Sequence, residues 1–503
     1  MSEEPATERR RPPSTRFYVL IFLGVLVVLC LLAWQLYHSA GRSGLQELRA
    51  ELKAKGERTH WQEIVSQPTI EEHEIAVDFL SVARSTPEIP KALLTRTPAS
   101  PGSQIHISSA PRFPVEITRH GSGRFWVTNR WEMIAGIVES HHSEWDAAVR
   151  MTRSRKIVFD LDWSEGFDLV LPHLSNIKGL FGWAKASVIH DLHERRFDPA
   201  MKTQIEALQL IPKFHEPLII SELVRMQHAN YQIDSIWELL QYDEWSDVQL
   251  GQLAQAMSGV RFGKGMIEAL EMERAMIIHT GQEWMKEPGK IYDRISRMSS
   301  GGPDSMFNSA AWMLGAGSYD LAWMINYMQR HLEAARVAVG AESASAYTSK
   351  AATIPRIPPS GAYIMSRLMT PALERAMDRV FSIETRLEMC RAAIAIKRFQ
   401  LRHKDLPADL AGLVPGFLPR PPQDWYSGNV LSYQRLGTNR YKLWSVGANG
   451  RDEGGDPTPA RPSRNDWMKG VDCVWPSVAA EVELESFIQG QHRVMRAVRG
   501  MKP

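Results

Sequence analysis

An uncharged apolar run near the N-terminus constrains this chain more than any other feature of its sequence. Residues 17–37 (FYVLIFLGVLVVLCLLAWQLY) are apolar apart from Gln35, and no charged residue occurs between Arg16 and Arg42. At a rise of about 1.5 Å per residue, the run forms a helix of about 31 Å, which matches the hydrocarbon thickness of a bilayer. The sequence therefore predicts one membrane-spanning helix.

The charges that flank this run predict its orientation. Arg9, Arg10, Arg11 and Arg16 precede it, whereas only Arg42 follows it closely. Because lysine and arginine are enriched on the cytoplasmic side of a span, the N-terminus is expected in the cytoplasm. We therefore predict a single-pass protein of the inner or plasma membrane whose bulk is periplasmic or otherwise extracytoplasmic.

A cleaved signal peptide is the alternative interpretation of the same run. Signal peptides have an apolar region of about 7 to 15 residues that ends in small residues at the cleavage site. Here the nearest candidate site, Tyr37-His38-Ser39-Ala40, has His38 at the −3 position. Both the length and this histidine favour a permanent anchor.

Composition limits the partners and the redox chemistry. A formal net charge of +2 over 503 residues indicates no nucleic-acid partner and no preference for acidic substrates. Of the three cysteines, Cys30 lies in the apolar run, and Cys390 and Cys473 would face an oxidising compartment where a disulfide between them is stable. Two separate buried thiols are the alternative, because spacing along the chain does not report Cα proximity.

The rest of the chain has mainly helical periodicity. One predicted helical hairpin has an apolar stripe from Ile177 to Leu192 and an N-cap at Asp198 before Pro199, and a second has a capping box from Ser246 to Gln249. Stacked hairpins would leave a concave surface for a protein or peptide, whereas an irregular helical bundle would leave none. The predicted division is a cytoplasmic tail (1–16), the membrane helix (17–37), a stalk and first helices (38–96), a loop with short strands (97–126), a helical-hairpin domain (127–350), a proline-rich linker (351–361), a long helix with a small α+β module (362–476) and a C-terminal helix (477–503).

The most specific pattern lies in residues 389–456. A helix stops at Leu406-Pro407, and two predicted strands meet at residues 437–439. Between and after them come LAGLVPGFLP (410–419), DWYSG (424–428) and SVGANG (445–450). This order resembles the C-terminal half of the major pseudopilin of type II secretion systems, and the resemblance implies a pseudopilin-like α+β module.

In that family the final loop holds calcium. The resemblance implies that the matching residues here, Asn449, Asp452, Glu453 and Asp456, form a calcium site, since Ca²⁺ takes six to eight oxygen ligands. Asn449 stands where the family has an aspartate, so weaker binding is expected. A solvated Asp/Gly turn that closes on itself is the alternative.

The chain also departs from that family. Its apolar run lacks the glutamate of a pilin helix, and a large helical region separates the run from residues 389–456. An assembled pilus subunit is therefore not expected. The whole arrangement resembles a group of large membrane-anchored bacterial proteins, which implies an architecture and no activity.

No catalytic residue is predicted. H-E-x-x-H is absent, and the adjacent His141 and His142 would point about 100° apart on a helix. His190 and His193 are expected on an exposed polar face.

We expect a mainly α protein that acts as a membrane-tethered extracytoplasmic scaffold or binding protein with a protein partner, linked to a secretion or pilus-type apparatus. The alternative is an enzyme whose site combines scattered residues such as Glu139, His142 and His190.

Overall fold

The computed structural model describes residues 15–94, 98–110, 114–119, 123–127, 129–153, 155–287, 312–358, 363–459 and 470–498. Helices account for 66% of the structure and strands for 6%, which confirms the predicted mainly α class. In chain order the described α-helices are α1 (Thr15–Ala54), α2 (Ile70–Ser85), α3 (Lys91–Leu94), α4 (Arg130–Glu139), α5 (His142–Thr152), α6 (His173–His193), α7 (Phe197–Leu210), α8 (Ile219–Leu239), α9 (Asp247–Ser258), α10 (Gly263–Lys286), α11 (Gly317–Ala341), α12 (Ala344–Ala351), α13 (Ile364–His403) and α14 (Glu481–Val498).

The strands are short and form three small sheets among the described residues. They are β1 (Pro98–Ser100), β2 (Ser103–Gln104), β3 (Val115–Arg119), β4 (Gly123–Val127), β5 (Ser432–Arg435), β6 (Tyr441–Ser445), β7 (Cys473–Val474) and β8 (Ser477–Val478). The sheet orders are β1-β2-β8, β3-β4 and β5-β6-β7. All pairs are antiparallel except β2 with β8, which is parallel.

Helix α1 contains the apolar run. Within the described part of the chain it is the one helix that is long and apolar enough to cross a membrane, with a mean hydropathy of 2.8 in its most apolar window and none of that window buried. The helix continues without a break to Ala54, and Gly56, at a φ of +74°, follows its end. A glycine at positive φ is a common helix stop, so Gly56 accounts for the end of α1.

The chain divides into two compact units, of which the first comprises Met1–Thr59, Ile277–Tyr327 and Arg356–Thr370. In this unit α1 packs closely just after its apolar run. The rings of Tyr37 and Tyr319 stack with centroids 4.6 Å apart, and the Tyr319 hydroxyl donates to the Tyr37 carbonyl at 3.1 Å. Gly41 allows this approach, since a Cβ there would lie 2.7 Å from the Tyr319 ring.

The first unit also contains a capped helix start. The buried carboxylate of Asp320 accepts the backbone N–H groups of Met365 at 2.9 Å and Ser366 at 3.2 Å, which are in the first turn of α13. Burial raises the pKa of Asp320, and its hydrogen bonds oppose that increase. A carboxylate at a helix N-terminus satisfies N–H groups that have no partner inside the helix.

The second unit comprises His60–Met276, Met328–Pro355 and Pro371–Pro503. Its core is built around α6, which contacts α4, α7 and α8. The apolar stripe predicted on α6 is confirmed, because each of its members is at most 1% exposed: Ile177, Phe181, Ala184, Val188 and Leu192. Trp183 and Trp237 are fully buried in the same core.

Two predicted helix caps have different outcomes. The capping box is confirmed: Ser246 Oγ accepts from the Gln249 N–H at 3.2 Å, and Gln249 Oε1 accepts from the Ser246 N–H at 3.0 Å. The N-cap at Asp198 is wrong, because α7 begins at Phe197. The turn closes earlier than expected, since Arg195, two residues after the end of α6, adopts a φ of +56°.

The C-terminal residues of this unit form a long helix followed by a short hairpin, and the pseudopilin-like module stays a prediction. Helix α13 continues through residues 384–401 and ends at His403, and β5 and β6 form the expected antiparallel hairpin. Strand β8 then pairs with β2, and the Trp237 indole N–H donates to the Pro476 carbonyl at 2.9 Å. Leu484 and Phe487 of α14 pack against a buried cluster formed by Ile105, Ala110 and Val115.

Candidate ligand-binding cavity

Helix α2 forms one wall of a cavity in the second unit. A capping box determines where this helix begins: Thr69 Oγ1 accepts from the Glu72 N–H at 3.2 Å, and Glu72 Oε2 accepts from the Thr69 N–H at 2.8 Å. Side chains separated by three and four positions share one face of a helix. Four residues of α2 line the cavity on this basis: His73, Ala76, Val77 and Leu80.

A second wall is formed by residues 159–172, the segment that leads into α6. Its first part is extended, so that successive side chains alternate: Phe159 and Leu161 are buried, whereas Asp160 and Asp162 are exposed. The segment then turns at Gly166, whose combination of φ +55° and ψ −123° is readily adopted only by glycine. The wall is therefore apolar inside and acidic at its surface.

His173, the first residue of α6, lines the cavity with a side chain that is only 2% exposed. Its ring stacks on Phe159 with centroids 4.2 Å apart. Its Nε2 lies 2.8 Å from Oε1 of the buried Glu216, and the Ser221 hydroxyl donates to Glu216 Oε2 at 2.6 Å. A buried polar pair thus stands directly behind the apolar wall.

The cavity has a volume of about 430 Å³, within the range of small-molecule sites. Four carboxylates line it, those of Asp160, Asp162, Glu165 and Asp168. Within the described residues no lysine or arginine lines it. The N-terminus of α6 adds a partial positive charge of only about half a unit. The four carboxylates outweigh it, so the charge carried by the cavity lining is negative.

Another polar cluster of the same unit surrounds His215. Its Nδ1 lies 2.7 Å from Glu222 Oε1, and its Nε2 lies 2.7 Å from Glu268 Oε2. Arg225 also contacts the Glu222 carboxylate. Burial acts to lower the pKa of His215, but the two carboxylates outweigh burial and raise that pKa above its usual range. The fold therefore favours the protonated imidazole.

A single buried carboxylate organises the residues that follow β2. Glu238, which is fully buried in α8, accepts the N–H groups of Ile107 at 3.0 Å and Ser108 at 3.1 Å, as well as the Ser108 hydroxyl at 2.9 Å. Arg130 donates to the Ile107 carbonyl at 2.9 Å. Burial lowers the pKa of Arg130 to about 10, and the charge of Glu238 opposes that decrease.

The predicted calcium residues lie in one loop and bond mainly to that loop. Asn449 Nδ2 donates to Glu453 Oε1 at 3.0 Å, Asp452 Oδ1 accepts the Trp444 indole N–H at 2.8 Å, and Asp456 Oδ1 accepts the Thr458 N–H at 2.9 Å. The described residues contain no group of three or more histidine, cysteine, aspartate or glutamate residues arranged to hold a metal ion. The calcium site stays a prediction.

Sequence reasoning missed the residue that shapes this loop. Asp472 is fully buried, and its Oδ2 accepts the backbone N–H groups of Glu453, Gly455 and Asp456 at 2.8 to 3.1 Å. Three donors on one carboxylate oxygen compensate for burial of its charge. No local motif identifies Asp472, because it follows the loop by 16 residues and reaches it through the fold.

Cys390 and Cys473 are both buried, and the structure has them as thiols. Cys390 lies in α13 and Cys473 in β7. The disulfide between them stays a prediction.

The histidines considered as ligands are placed differently from expectation. His190 is 3% exposed and receives a hydrogen bond from Arg196 at 2.9 Å, so the predicted exposed face is wrong for it. The reason is that α6 is covered on several sides, which its stripe alone does not reveal. His193 stacks on Trp131 with centroids 3.8 Å apart. Burial lowers the pKa of His190, Arg196 lowers it further, and the charge of Glu139 opposes that decrease.

The cavity residues were not identified from the sequence. A usable signal was the concentration of four acidic residues in DLDWSEGFD (160–168) beside apolar ones. No sequence motif predicts that this segment lies beside α2, which is more than 70 residues earlier in the chain.

Comparison with known proteins yields no relative from which a function can be transferred. No family model, no curated protein and no solved structure matches this chain.

Proposed function

We propose that this protein is a membrane-tethered extracytoplasmic binding protein, held by α1 and carrying its binding surfaces in the second unit. The single observation that carries the proposal is the continuity of α1. Its apolar half is exposed, and its remaining half reaches Ala54 with Leu45 and Leu52 buried. A segment with this composition would insert in a bilayer, while the same helix remains part of the folded protein.

The packing beside the span supports a permanent anchor over a cleaved signal peptide. Cleavage near Ala40 would remove Tyr37, whose carbonyl and ring both contact Tyr319. It would leave a fold that lacks one of its own contacts. The arginines before the span support the orientation with an extracytoplasmic bulk.

We extend the proposal to a protein partner in a secretion or pilus-type apparatus. The support is the resemblance of residues 389–456 to pseudopilins, together with the order of α13, β5, β6 and the acidic loop. Val430 and Leu436, 46% and 47% exposed, are apolar side chains on the surface of this region.

Site-specific photocrosslinking in cells tests the partner. A photoreactive amino acid at Leu436 should capture a defined protein, and the same substitution at Val248, which is 70% exposed on α9, should not.

Accessibility of the C-terminus to periplasmic labelling tests the topology. Retention of the full 57.0 kDa chain in membranes tests the anchor. A shortened, released protein would refute the tether.

An extracytoplasmic enzyme is a second candidate function. The observation in its favour is that Glu139 and His142 lie close enough to act electrostatically on His190 and Asp191, respectively. If a deletion strain has a phenotype, a His142→Ala chain that complements it fully would eliminate this candidate.

A further inference from the structure

The cavity beside α2 combines three features that together specify a ligand chemistry. Its walls carry apolar side chains, including Phe159, Leu161 and Leu80. Its rim carries four carboxylates, and His173 stands in its lining with a buried imidazole backed by Glu216. An apolar interior with acidic groups at its edge binds molecules with the reverse arrangement, an apolar body and a cationic end.

We propose that this cavity binds a small organic cation, an amine or amidine attached to an aromatic or aliphatic body. The inference rests on the proposed binding function and specifies its ligand class. The apolar body occupies the space between α2 and Phe159, and the cationic group remains at the rim near Glu165 and Asp168.

Glu165 and Asp168 are the carboxylates best placed to receive the cation. The other two already have partners: Asp160 Oδ2 lies 3.4 Å from His73 Nδ1, and Asp162 Oδ1 accepts the Ser164 N–H at 3.1 Å. Removing the charges of Glu165 and Asp168 therefore changes the electrostatics and leaves those local contacts intact.

An anion is the opposite choice, and charge decides against it. The N-terminus of α6 attracts anions through its free N–H groups, with an effective charge of about half a unit. Four carboxylates line the same space. A neutral apolar ligand would be stabilised by burial of its apolar surface but not by the carboxylates at the rim. Affinity should therefore be highest for a cationic ligand and lowest for an anionic one.

Isothermal titration calorimetry on the full chain in nanodiscs, with empty nanodiscs as the blank, tests this. The probes are phenethylamine, 2-phenylethanol and phenylacetate, which share a ring and differ in charge. Phenethylamine should bind with one site per chain and at least about tenfold more tightly than the other two. Its affinity should fall as salt is added, because the carboxylates are exposed.

Variants locate the site. Glu165→Gln with Asp168→Asn should weaken phenethylamine binding about tenfold, since each exposed charge contributes up to about fivefold. The matched control, Glu74→Gln with Asp78→Asn, makes the same charge change on α2 outside the cavity lining and should leave affinity unchanged.

Val77→Lys provides an independent variant that places a competing cation in the cavity at a position 52% exposed, where folding tolerates it. It should abolish binding. Equal affinity for the three probes, no saturable binding of the amine, or equal losses in the rim and control variants would overturn the proposal. Failure here with a retained anchor and a captured partner would refute the ligand class alone, whereas a released chain would refute the proposed function.

Discussion

The Glu238→Gln substitution tests how strongly one buried charge holds Ile107 and Ser108, which follow β2. The native carboxylate accepts three hydrogen bonds, from two backbone N–H groups and a hydroxyl. A hydrogen bond to a charged group contributes about 1.5 to 3 kcal/mol, and a neutral one about 1 kcal/mol. Glutamine keeps one acceptor oxygen, so the bonds that remain become neutral and at least one of the three donors faces an amide nitrogen; the substitution should therefore cost at least about 3 kcal/mol.

An opposing effect reduces this figure. Glu238 lies in the last turn of α8, where the helix dipole disfavours a negative charge by about 0.3 to 1 kcal/mol. Removing the charge recovers that amount. The net loss is therefore at least about 2 kcal/mol, which corresponds to an increase of at least about 30-fold in local opening.

Hydrogen-deuterium exchange measured by mass spectrometry on the full chain provides the assay. The peptide that covers residues 103–110 should exchange faster by that factor in Glu238→Gln, because Ile107 and Ser108 lose a charged acceptor. Glu194→Gln removes an exposed charge beside the end of α6 and should alter exchange by less than about twofold. Unchanged exchange in Glu238→Gln, or equal acceleration in both variants, would refute the reasoning.

Three further predictions concern pH, metal and helix capping. Because Glu222 and Glu268 raise the pKa of His215, its protonation stabilises the fold fully below the unfolded value of about pH 6.5, and this contribution is lost as pH rises through the raised folded pKa. The deficit in unfolding temperature of His215→Gln should therefore be larger in mildly acidic than in alkaline buffer, and an equal deficit at both would contradict this. Calcium chloride should release heat and raise the unfolding temperature of the full chain, and both effects should be smaller in Asp452→Asn; no heat and no thermal shift would eliminate the calcium prediction. Ser246→Ala should cost about 1 kcal/mol of stability by removing the N-cap of α9, which chemical denaturation measures, and no loss would show that the cap contributes nothing.

Local patterns identified the elements whose formation depends on neighbours in sequence. The apolar run predicted α1, the stripe from Ile177 to Leu192 predicted the buried face of α6, and Ser246 with Gln249 predicted the start of α9. Each of these signals lies within a few turns of helix, where periodicity and capping act directly. The start of α7 was misplaced because a positive φ at Arg195, which no local rule required, closed the preceding turn.

Long-range contacts decided the candidate site and the charged interior. His190 was expected to be exposed because its neighbours on α6 are polar, yet packing covers that face. Asp472 accepts a backbone hydrogen bond from Asp456, in the loop that holds the predicted calcium residues. Glu238 accepts one from Ile107, which is 131 residues away in the sequence. Composition near these residues does not distinguish a buried acid from a solvated one.

The sequence by itself determined the apolar helix long enough to span a membrane, the mainly α class and several helix boundaries, because these depend on composition and on spacing within one element. Only the tertiary structure decided where the cavity lies, since α2 and residues 159–172 are brought together by packing against α6. It also decided which carboxylates are buried and held by N–H groups and which remain exposed at a rim. That distinction depends on desolvation, which exists only after the chain has folded.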